Sequence, residues 1–274
     1  MQNLSSIIYQ TGDFLYGYDN EPRFSSGISV HMHGGWEFLY VKSGELSYAV
    51  DGNIFDVKPG NLIIARPGEI HSLTVKSVTH YERHSMVITG NLLNKDIIQQ
   101  ISPDLHVLDL SGNSIIPGLF EKMHFYRCNL QNAYLDTVFH ALISELWVNI
   151  HFGTQTVAPT EVSSSNPIIV RAIGYIKEHI REPLTVRQIS EALFITTSYL
   201  HQCFAKYMDV TPRQYIMLQK LQMVQEALIH AENPTKVCWE FGFRNYSTFY
   251  RNYQKVYGCR PSDSPRQTLE KIEL

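Results

Sequence analysis

Three histidines and one glutamate have the residue types and the spacing of a small binding site. His31 and His33 lie close to Glu37, six residues separate Glu37 from Gly44, and His71 follows further along the chain. On a β-strand His31 and His33 would share one face, because side chains alternate with a period of two. Imidazole nitrogens and a carboxylate can ligate a divalent metal, and they can also exchange hydrogen bonds with a small polar molecule. The residues themselves leave both uses open.

The elements around these residues are predicted to be short strands. Breakers such as Gly, Asp-Gly and Pro-Gly separate apolar runs between about residues 20 and 90. This spacing predicts an antiparallel β-barrel or sandwich, with Asp51-Gly52 as a hairpin turn. Residues 9–23, rich in Tyr and Phe, either cap a pocket in the barrel or pad its wall. The predicted strands include Trp36–Val41, Leu46–Val50, Ile54–Val57, Leu62–Ala65 and Met86–Thr89.

The spacing of the histidines and the glutamate resembles the two motifs of the cupin fold. The proline of the second motif is displaced by one position, so that Arg66 stands in its usual place. If the resemblance extends to chemistry, the four polar residues hold a metal, in a metallocupin enzyme or a metal-dependent sensor. The matching residues are His31, His33, Glu37 and Gly44 in the first motif and Gly60, Gly68 and His71 in the second.

We favour an effector-binding barrel that has no metal, no cofactor and no catalytic residues. Aromatic platforms with a few placed polar groups suit a small molecule, here a sugar or a related metabolite. Tyr48 would add to such a pocket. The predicted effector-binding residues are His31, His33, Trp36, Glu37, Tyr40, Arg66 and His71.

A helical region and a polar segment follow the barrel. Apolar residues recur with a period near 3.6 from about 117 to 152, which predicts helices with a broad apolar stripe. The stripe exceeds what one barrel face needs, so we expect it to form a homodimer. Residues 153–166 are small, polar and unpatterned, which predicts an interdomain linker. The stripe includes Leu119, Met123, Tyr126, Leu130, Tyr134, Val138, Leu142, Leu146 and Ile150.

The last hundred residues contain one helix-turn-helix pattern twice, about 49 residues apart. Leu200 corresponds to Phe249, and Phe204 corresponds to Tyr253. Between the two copies lies a predicted helix, Pro212 to Ala231, which would be roughly 30 Å long at 1.5 Å per residue. Recognition helices that enter successive major grooves on one DNA face lie about 34 Å apart. One domain could therefore contact two adjacent grooves.

This C-terminal pattern resembles the DNA-binding domain of AraC-type bacterial transcription regulators over roughly residues 167–266. The resemblance implies seven helices, two helix-turn-helix units and duplex DNA as the partner. N-terminal domains of this family commonly keep the histidine and glutamate trace without a metal. Ala205, Asp209 and Gln254 depart from the family's usual residues. The most specific matches are Gly242, Phe243, Phe249, Tyr253, Lys255, Gly258 and Pro261.

Helix geometry selects the side chains that would contact DNA. On the first recognition helix we expect Tyr199 to turn inward with the apolar residues, and on both helices polar residues face outward. Gln can pair with adenine and Arg with guanine. The predicted DNA-binding residues are Ser198, His201, Gln202, Lys206, Tyr246, Ser247, Tyr250 and Arg251.

Charge separates the chain into two halves. Residues 1–165 have 9 Lys and Arg against 16 Asp and Glu, whereas residues 166–274 have 14 against 10. A polyanionic partner is therefore expected to bind the second half. The N-terminus lacks the features of a signal peptide, no stretch is apolar enough to span a membrane, and the four cysteines form no CxxC pair. These features predict a cytoplasmic protein without membrane contact.

Together these patterns predict a multidomain α+β protein. A cupin-like antiparallel β-barrel with its helices occupies residues 1–152, and an all-α domain with two helix-turn-helix motifs occupies residues 167–274. The predicted function is sequence-specific, effector-controlled regulation of transcription, with duplex DNA, a small molecule, a second copy of the chain and RNA polymerase as partners. The effector would change DNA affinity through a coupling between the two sites.

Overall fold

The computed structural model of the chain describes residues 6–25, 27–76, 79–89, 92, 95–156, 160–208, 210–229, 233–263 and 272–273. The N-terminal half forms two antiparallel sheets that face each other. The first sheet has the strand order β1-β2-β9-β4-β7-β10, and the second has the order β11-β6-β5-β8-β3-β12. The strands are β1 Ser6–Gln10, β2 Phe14–Phe24, β3 Ile28–Met32, β4 Trp36–Ser43, β5 Leu46–Val50, β6 Asn53–Val57, β7 Asn61–Ala65, β8 His71–Val75, β9 Thr79–Ile88, β10 Val107–Asp109, β11 Ser164–Ser165 and β12 Ile272–Glu273.

The barrel interior is filled by apolar side chains that alternate along the strands. Alternation places every second residue of a strand on one face. Tyr48 on β5 is fully buried there with its neighbours. At Asp51 and Gly52 the backbone has φ values of 46° and 81°, as the predicted two-residue hairpin requires. The interior cluster consists of Leu39, Val41, Leu46, Tyr48, Val50, Phe55, Val57, Ile63, Leu73, Tyr81 and Val107.

The N-terminal residues pad the first sheet. Strand β2 pairs with β9 along most of its length, and β1 extends the same sheet edge. The ring of Tyr9 packs edge-on against Phe14 and Phe139, with ring centroids 5.6 Å and 5.2 Å away. Residues 9–23 therefore form part of the barrel wall, which decides between the two alternatives that the sequence left open.

Helices cover the outer face of the first sheet. The helices are α1 Lys95–Ile98, α2 Ile115–Asn129 and α3 Asn132–Thr156. The predicted helical region is thus two helices, because the backbone at Leu130 is extended, and α3 continues past residue 152. Trp147 is buried between α3 and the sheet, where it contacts Trp36 and Phe38 edge-on.

The apolar stripe of α2 and α3 is mostly used within the chain. Leu119, Met123, Leu142, Leu146 and Ile150 are buried in the cluster against the first sheet. Three further stripe residues are partly buried against that cluster, and only one stripe residue, Tyr134, is well exposed, at 62%. The surplus apolar surface on which the homodimer prediction depends is therefore smaller than expected.

The segment predicted as a linker is attached to the barrel where the structure describes it. Its first residues belong to α3, and Ser164–Ser165 pairs with β6. The amide of Thr160 donates to the carbonyl of Val107, and that of Asn166 donates to Gly52. Residues 160–166 of the predicted interdomain linker are therefore held at the barrel edge by backbone hydrogen bonds, although their sequence has no apolar pattern.

The C-terminal domain is helical. Its helices are α4 Pro167–Glu178, α5 Val186–Ala192, α6 Thr197–Tyr207, α7 Pro212–Ile229, α8 Pro234–Glu240 and α9 Tyr246–Tyr257, followed by the 3-10 turn Pro261–Asp263. Thr185, Thr196 and Asn245 are the N-caps of α5, α6 and α9. The predicted fold class, an antiparallel β-domain followed by helices with two helix-turn-helix units, is confirmed. None of the described helices has the length and apolarity needed to cross a bilayer.

The two helix-turn-helix units differ at their turns. In the first unit Phe194 has a φ of 58°, and Gly242 takes the corresponding left-handed position in the second with a φ of 69°. The N-cap of the recognition helix is Thr196 in the first unit and Asn245 in the second. Two residues therefore lead from the left-handed position to the cap in the first turn, and three in the second. Arg244 is the additional residue.

Candidate DNA-binding surface and ligand site

The recognition helix of the first unit, α6, exposes the polar residues that the sequence selected. Its apolar face, with Leu200, Cys203 and Phe204, is buried in the domain core. Tyr199 was expected to turn inward but is 47% exposed, because it lies one residue outside the buried face. Its exposed ring adds an apolar element to an otherwise polar surface. The predicted contacts Ser198, His201, Gln202 and Lys206 are all exposed.

The recognition helix of the second unit, α9, exposes fewer of its predicted residues. Ser247 and Arg251 are exposed, and the Arg251 Nε donates to the carbonyl of Ser247 at 3.4 Å. Tyr246 and Tyr250 are half-buried, and the ring of Tyr246 packs 5.5 Å from that of Phe249. Arg251 is therefore the main charged side chain that this helix offers to a duplex near its start.

A buried lysine on α7 connects the two units. Lys220 is 5% exposed, and its ammonium donates to the carbonyl of Glu182 at 2.6 Å and to that of Phe241 at 2.8 Å. Glu182 lies in the loop before α5 and Phe241 follows α8, so one side chain ties the loop that leads into the first unit to the turn of the second. Burial lowers the pKa of Lys220 to about 8, which the nearby Glu182 partly opposes. Lys220 was not among the residues predicted from the sequence, although a single lysine between Leu218 and Leu221 in an apolar helical pattern indicates a buried polar contact.

In the barrel, four predicted residues converge. The side chains of His31, His33, Glu37 and His71 are buried, and one nitrogen or oxygen atom of each lies within 4.8 Å of the others. His31 is on β3, His71 begins the neighbouring β8, and Glu37 is on β4. His33 follows the end of β3, so it does not share a strand face with His31 as expected. The loop between β3 and β4 nevertheless brings it into the group.

Backbone carbonyls orient the three imidazole rings. The Nδ1 atoms lie 2.8 Å from the carbonyl of Ser29 for His31, and 2.9 Å from that of Gly35 for His33. The Nδ1 of His71 lies 2.9 Å from the carbonyl of Glu69. Because a carbonyl only accepts, each Nδ1 carries the proton, and in a neutral ring the Nε2 presents its lone pair.

The Nε2 atoms of His33 and His71 both face the carboxylate of Glu37, which accepts hydrogen bonds. The Nε2 of His33 lies 3.3 Å from Glu37 Oε2, and that of His71 lies 3.2 Å from the same oxygen. Burial alone would raise the pKa of Glu37, but the contacts with His33 and His71 outweigh it and hold that pKa well below its usual value. Nitrogen lone pairs that face an ionised carboxylate repel it, so this arrangement requires a positive charge within the group. Either a proton on the imidazoles or a divalent cation supplies that charge.

Three residues predicted for the same pocket lie elsewhere. Trp36 and Tyr40 are on β4 but on the opposite face from Glu37, packed against the helices. The guanidinium of Arg66 lies 5.4 Å from the Trp36 ring and bonds to Glu69 and to the carbonyl of Leu105. Its donors therefore hold neighbouring loops. These three residues do not join the four-residue group.

Tyr48 does face the barrel interior, with its ring centroid 5.9 Å from that of His71. Burial raises the pKa of its phenol well above the usual value, and nearby carboxylates such as Glu69 add to this effect. Within the described part of the chain its hydroxyl has no hydrogen-bond partner. Tyr48 is thus the aromatic residue that stands beside the four-residue group.

A cavity of about 420 Å³ opens on the outer side of the second sheet. Its walls are strands β3, β5 and β8 on one side and the end of α6 on the other. His71 and Lys206 both belong to its lining. The cavity therefore lies between the barrel and the first helix-turn-helix unit, and not inside the barrel.

Comparison with known protein families matches both halves of the chain. A helix-turn-helix domain family matches residues 189–267, and a cupin domain family matches residues 20–80. The first match contains both recognition helices. The second contains His31, His33, Glu37 and His71.

Several curated relatives are named transcription regulators. The HTH-type transcriptional regulator YdiP of Escherichia coli is 19% identical over 92% of this chain and 85% of the relative. The XylDLEGF operon transcriptional activator of Pseudomonas putida is 25% identical over 40% of this chain. The aligned part spans 36% of that activator. Among solved structures, the AraC-like transcriptional activator CuxR has a TM-score of 0.41 at 16% identity, with 79% of this chain and 78% of CuxR covered.

Proposed function

Because the chain is an AraC-type regulator with a cupin N-terminal domain, we propose that its two recognition helices bind successive major grooves of duplex DNA. The observation that carries this is the pair of helix-turn-helix units held on α7, each with an exposed polar recognition face. Helix α7 has 18 residues, which corresponds to a length of roughly 27 Å. The excess of positive charge in this half of the chain favours a polyanion.

Arg251→Ala and Gln202→Ala should each weaken specific DNA binding by about 1–3 kcal/mol and relax specificity at one base pair. Both side chains are exposed on recognition helices. Electrophoretic mobility shifts with a selected operator and single-base variants measure both effects. The matched control is Arg187→Ala, which removes an exposed arginine that pairs with Glu191 on α5. Unchanged affinity and specificity in both variants would remove these residues from the interface.

In place of the metal-free site that the sequence favoured, we further propose that the four converging residues of the barrel bind one divalent transition-metal cation. Imidazole nitrogens with one carboxylate are a ligand set that such cations accept. The donor atoms are too close together to enclose a metabolite, since all four lie within 4.8 Å of one another. The carbonyls that hold each Nδ1 proton are the outer-sphere partners that aim a ligand imidazole. The cation would supply the positive charge that the ionised Glu37 and the inward Nε2 atoms require.

Chelator-treated protein should bind about one Zn²⁺ per chain, and His71→Ala and Glu37→Gln should reduce that affinity by more than the 10- to 100-fold typical of an outer-sphere change. Isothermal titration and elemental analysis measure the stoichiometry. His201→Ala is the control, because His201 is an exposed histidine on α6. If His71→Ala binds Zn²⁺ as tightly as the unaltered chain, the cation is not held here.

A small-molecule effector is the second candidate, and the cavity between the barrel and α6 favours it. Its volume of about 420 Å³ lies within the range of small-molecule sites, roughly 300–1,000 Å³. Along β8 the outward residues Ser72 and Thr74 line the cavity, whereas the imidazole of His71 faces the barrel interior, so the two sites lie on opposite sides of the second sheet. A sugar or related metabolite stays a prediction, but Trp36, Tyr40 and Arg66 line neither this cavity nor the four-residue group.

The sensing role is proposed in preference to a catalytic one, because the relatives are named transcriptional regulators. We also propose that the chain activates transcription through a contact with RNA polymerase. The proposed activation extends to this chain the role that the name of the XylDLEGF operon transcriptional activator states for that relative. Tyr134 and Phe125 remain exposed on the helices of the first sheet, and we retain a homodimer through that face as a proposal. Since the proposed target is chromosomal DNA, the proposed location is the cytoplasm.

A further inference from the structure

The residues that hold the four-residue group also hold the DNA-binding domain. Met32 lies between His31 and His33, and Ile70 directly precedes His71. Adjacent residues of an extended chain point to opposite sides. Met32 is fully buried and Ile70 is 2% exposed, and both belong to the apolar cluster formed by α4, α6 and α7. Both histidine-bearing segments therefore have an adjacent side chain in the core of the helical domain.

The loop before β8 makes a second connection. The amide of Gly68 donates to the carbonyl of His33 at 2.9 Å, which joins the loop to the ligand group. On its other side, the Nε2 of Gln219 on α7 donates to the carbonyl of Gly68 at 2.7 Å. A Cβ atom at Gly68 would lie 2.7 Å from the side chain of Gln222, so the backbone of this loop packs directly against a side chain of α7. One glycine thus separates a ligand histidine from the helix that spaces the two recognition helices.

A polar clamp holds the same two domains at the neighbouring hairpin. Asp51 accepts from Lys177 Nζ of α4 at 2.7 Å and from the Tyr215 hydroxyl of α7 at 3.1 Å. Asp51 and Tyr215 are buried. The clamp contains none of the four ligand residues, so the docking of the domains can be weakened without changing the site.

We propose that a cation bound by His31, His33, Glu37 and His71 controls DNA affinity by fixing how α4 and α7 dock on the barrel. This inference rests on the proposed function of both domains. Ligation would tie β3 to β8 at a place where their pairing is irregular, between Ile28 and His31. Ligation would also fix the positions of Met32, Ile70 and Gly68. Through its contacts with these residues, α7 would be fixed as well. By linkage, DNA and the cation change each other's affinity by the same factor.

The test compares DNA affinity and Zn²⁺ affinity in full-length variants. The interface variant is Asp51→Asn with Gln219→Ala, since Asn tolerates the left-handed backbone at position 51. Its control is Asp56→Asn with Gln10→Ala, which removes a carboxylate and an amide outside this interface and outside the recognition helices; Asp56 pairs with Lys76 at the surface, and Gln10 is exposed on β1. Glu37→Gln and His31→Ala are the two site variants, and circular dichroism identifies any variant that does not fold.

In the unaltered chain and in the control, chelation of Zn²⁺ should change the dissociation constant for DNA by about 5- to 150-fold. In the interface variant Zn²⁺ should still bind, but the change in DNA affinity should fall below about twofold. Hydrogen exchange at α7 should respond to Zn²⁺ in the unaltered chain and in the control, but not in the interface variant.

Two outcomes overturn the coupling while the proposed function stands. One is Zn²⁺ binding to the unaltered chain with no change in DNA affinity. The other is an interface variant that keeps the full response. Zn²⁺ binding that survives in both Glu37→Gln and His31→Ala would instead overturn the proposed site. Loss of DNA binding under every condition by a folded chain would count against the proposed function itself.

Discussion

Phe204→Ala is expected to abolish DNA binding by unfolding the first helix-turn-helix unit. Phe204 is fully buried and packs edge-on against Tyr215, with ring centroids 5.8 Å apart. Removing a buried phenylalanine costs about 3–5 kcal/mol, whereas whole domains are stable by only about 5–15 kcal/mol. Thermal unfolding followed by circular dichroism, together with mobility shifts, measures both consequences.

The matched control for that substitution is Phe194→Ala in the same unit. Phe194 is 92% exposed at the turn, so its ring contributes no buried contact. Exposed substitutions of this kind change stability by no more than about 0.5 kcal/mol. Equal losses of stability in Phe204→Ala and Phe194→Ala would contradict the packing described for this unit.

The second large effect is a loss of stability of the N-terminal domain in acid. His84 is fully buried, its Nδ1 lies 2.9 Å from the Tyr16 hydroxyl, and burial lowers its pKa from 6.5 to about 4, although Glu121 opposes the shift. Between pH 6.5 and 4 the unfolded chain therefore binds a proton that the folded chain does not. Stability should be complete above pH 6.5 and should fall by up to about 3 kcal/mol as pH approaches 4.

Urea unfolding at several pH values measures this dependence. Trp36 and Trp147 belong to the same apolar cluster as Tyr16, so their fluorescence reports the relevant transition. His84→Gln should remove this part of the pH dependence, whereas His140→Gln should not, because His140 is 42% exposed in its side chain. A pH dependence identical in His84→Gln and the unaltered chain would exclude His84 as its origin.

The spacing of apolar residues along the chain predicted strands and helices well wherever one face of the element is buried. The predicted strand Leu46–Val50 agrees with the structure at both ends, and the predicted helix Pro212 to Ala231 begins at the observed residue. The same period of two also decides the faces of β4, and it places Trp36 and Tyr40 opposite Glu37, since they are one and three residues away. Their assignment to the ligand pocket could therefore have been excluded from the sequence alone.

Other features depend on contacts between distant residues. The partners of Arg66 at residues 102 and 105 arise only once the chain has folded. The polar composition of residues 160–166 suits a free linker and an edge strand equally, and only the register with β6 separates the two. Met32 and Ile70 are simple apolar residues in the sequence, and nothing local shows that they belong to a core on the other side of the domain boundary.

The additional residue in the second turn makes the two helix-turn-helix units unequal. Arg244 lengthens the approach to α9, and the residues at the starts of α6 and α9 differ as well. A single chain therefore has no internal dyad, and the base sequence that we propose it reads would not be a palindrome. On such a site the two units would contact different bases at its two ends. Inverting the site would turn the whole molecule around relative to the start of transcription, so we expect the orientation of the site to carry information beyond its position.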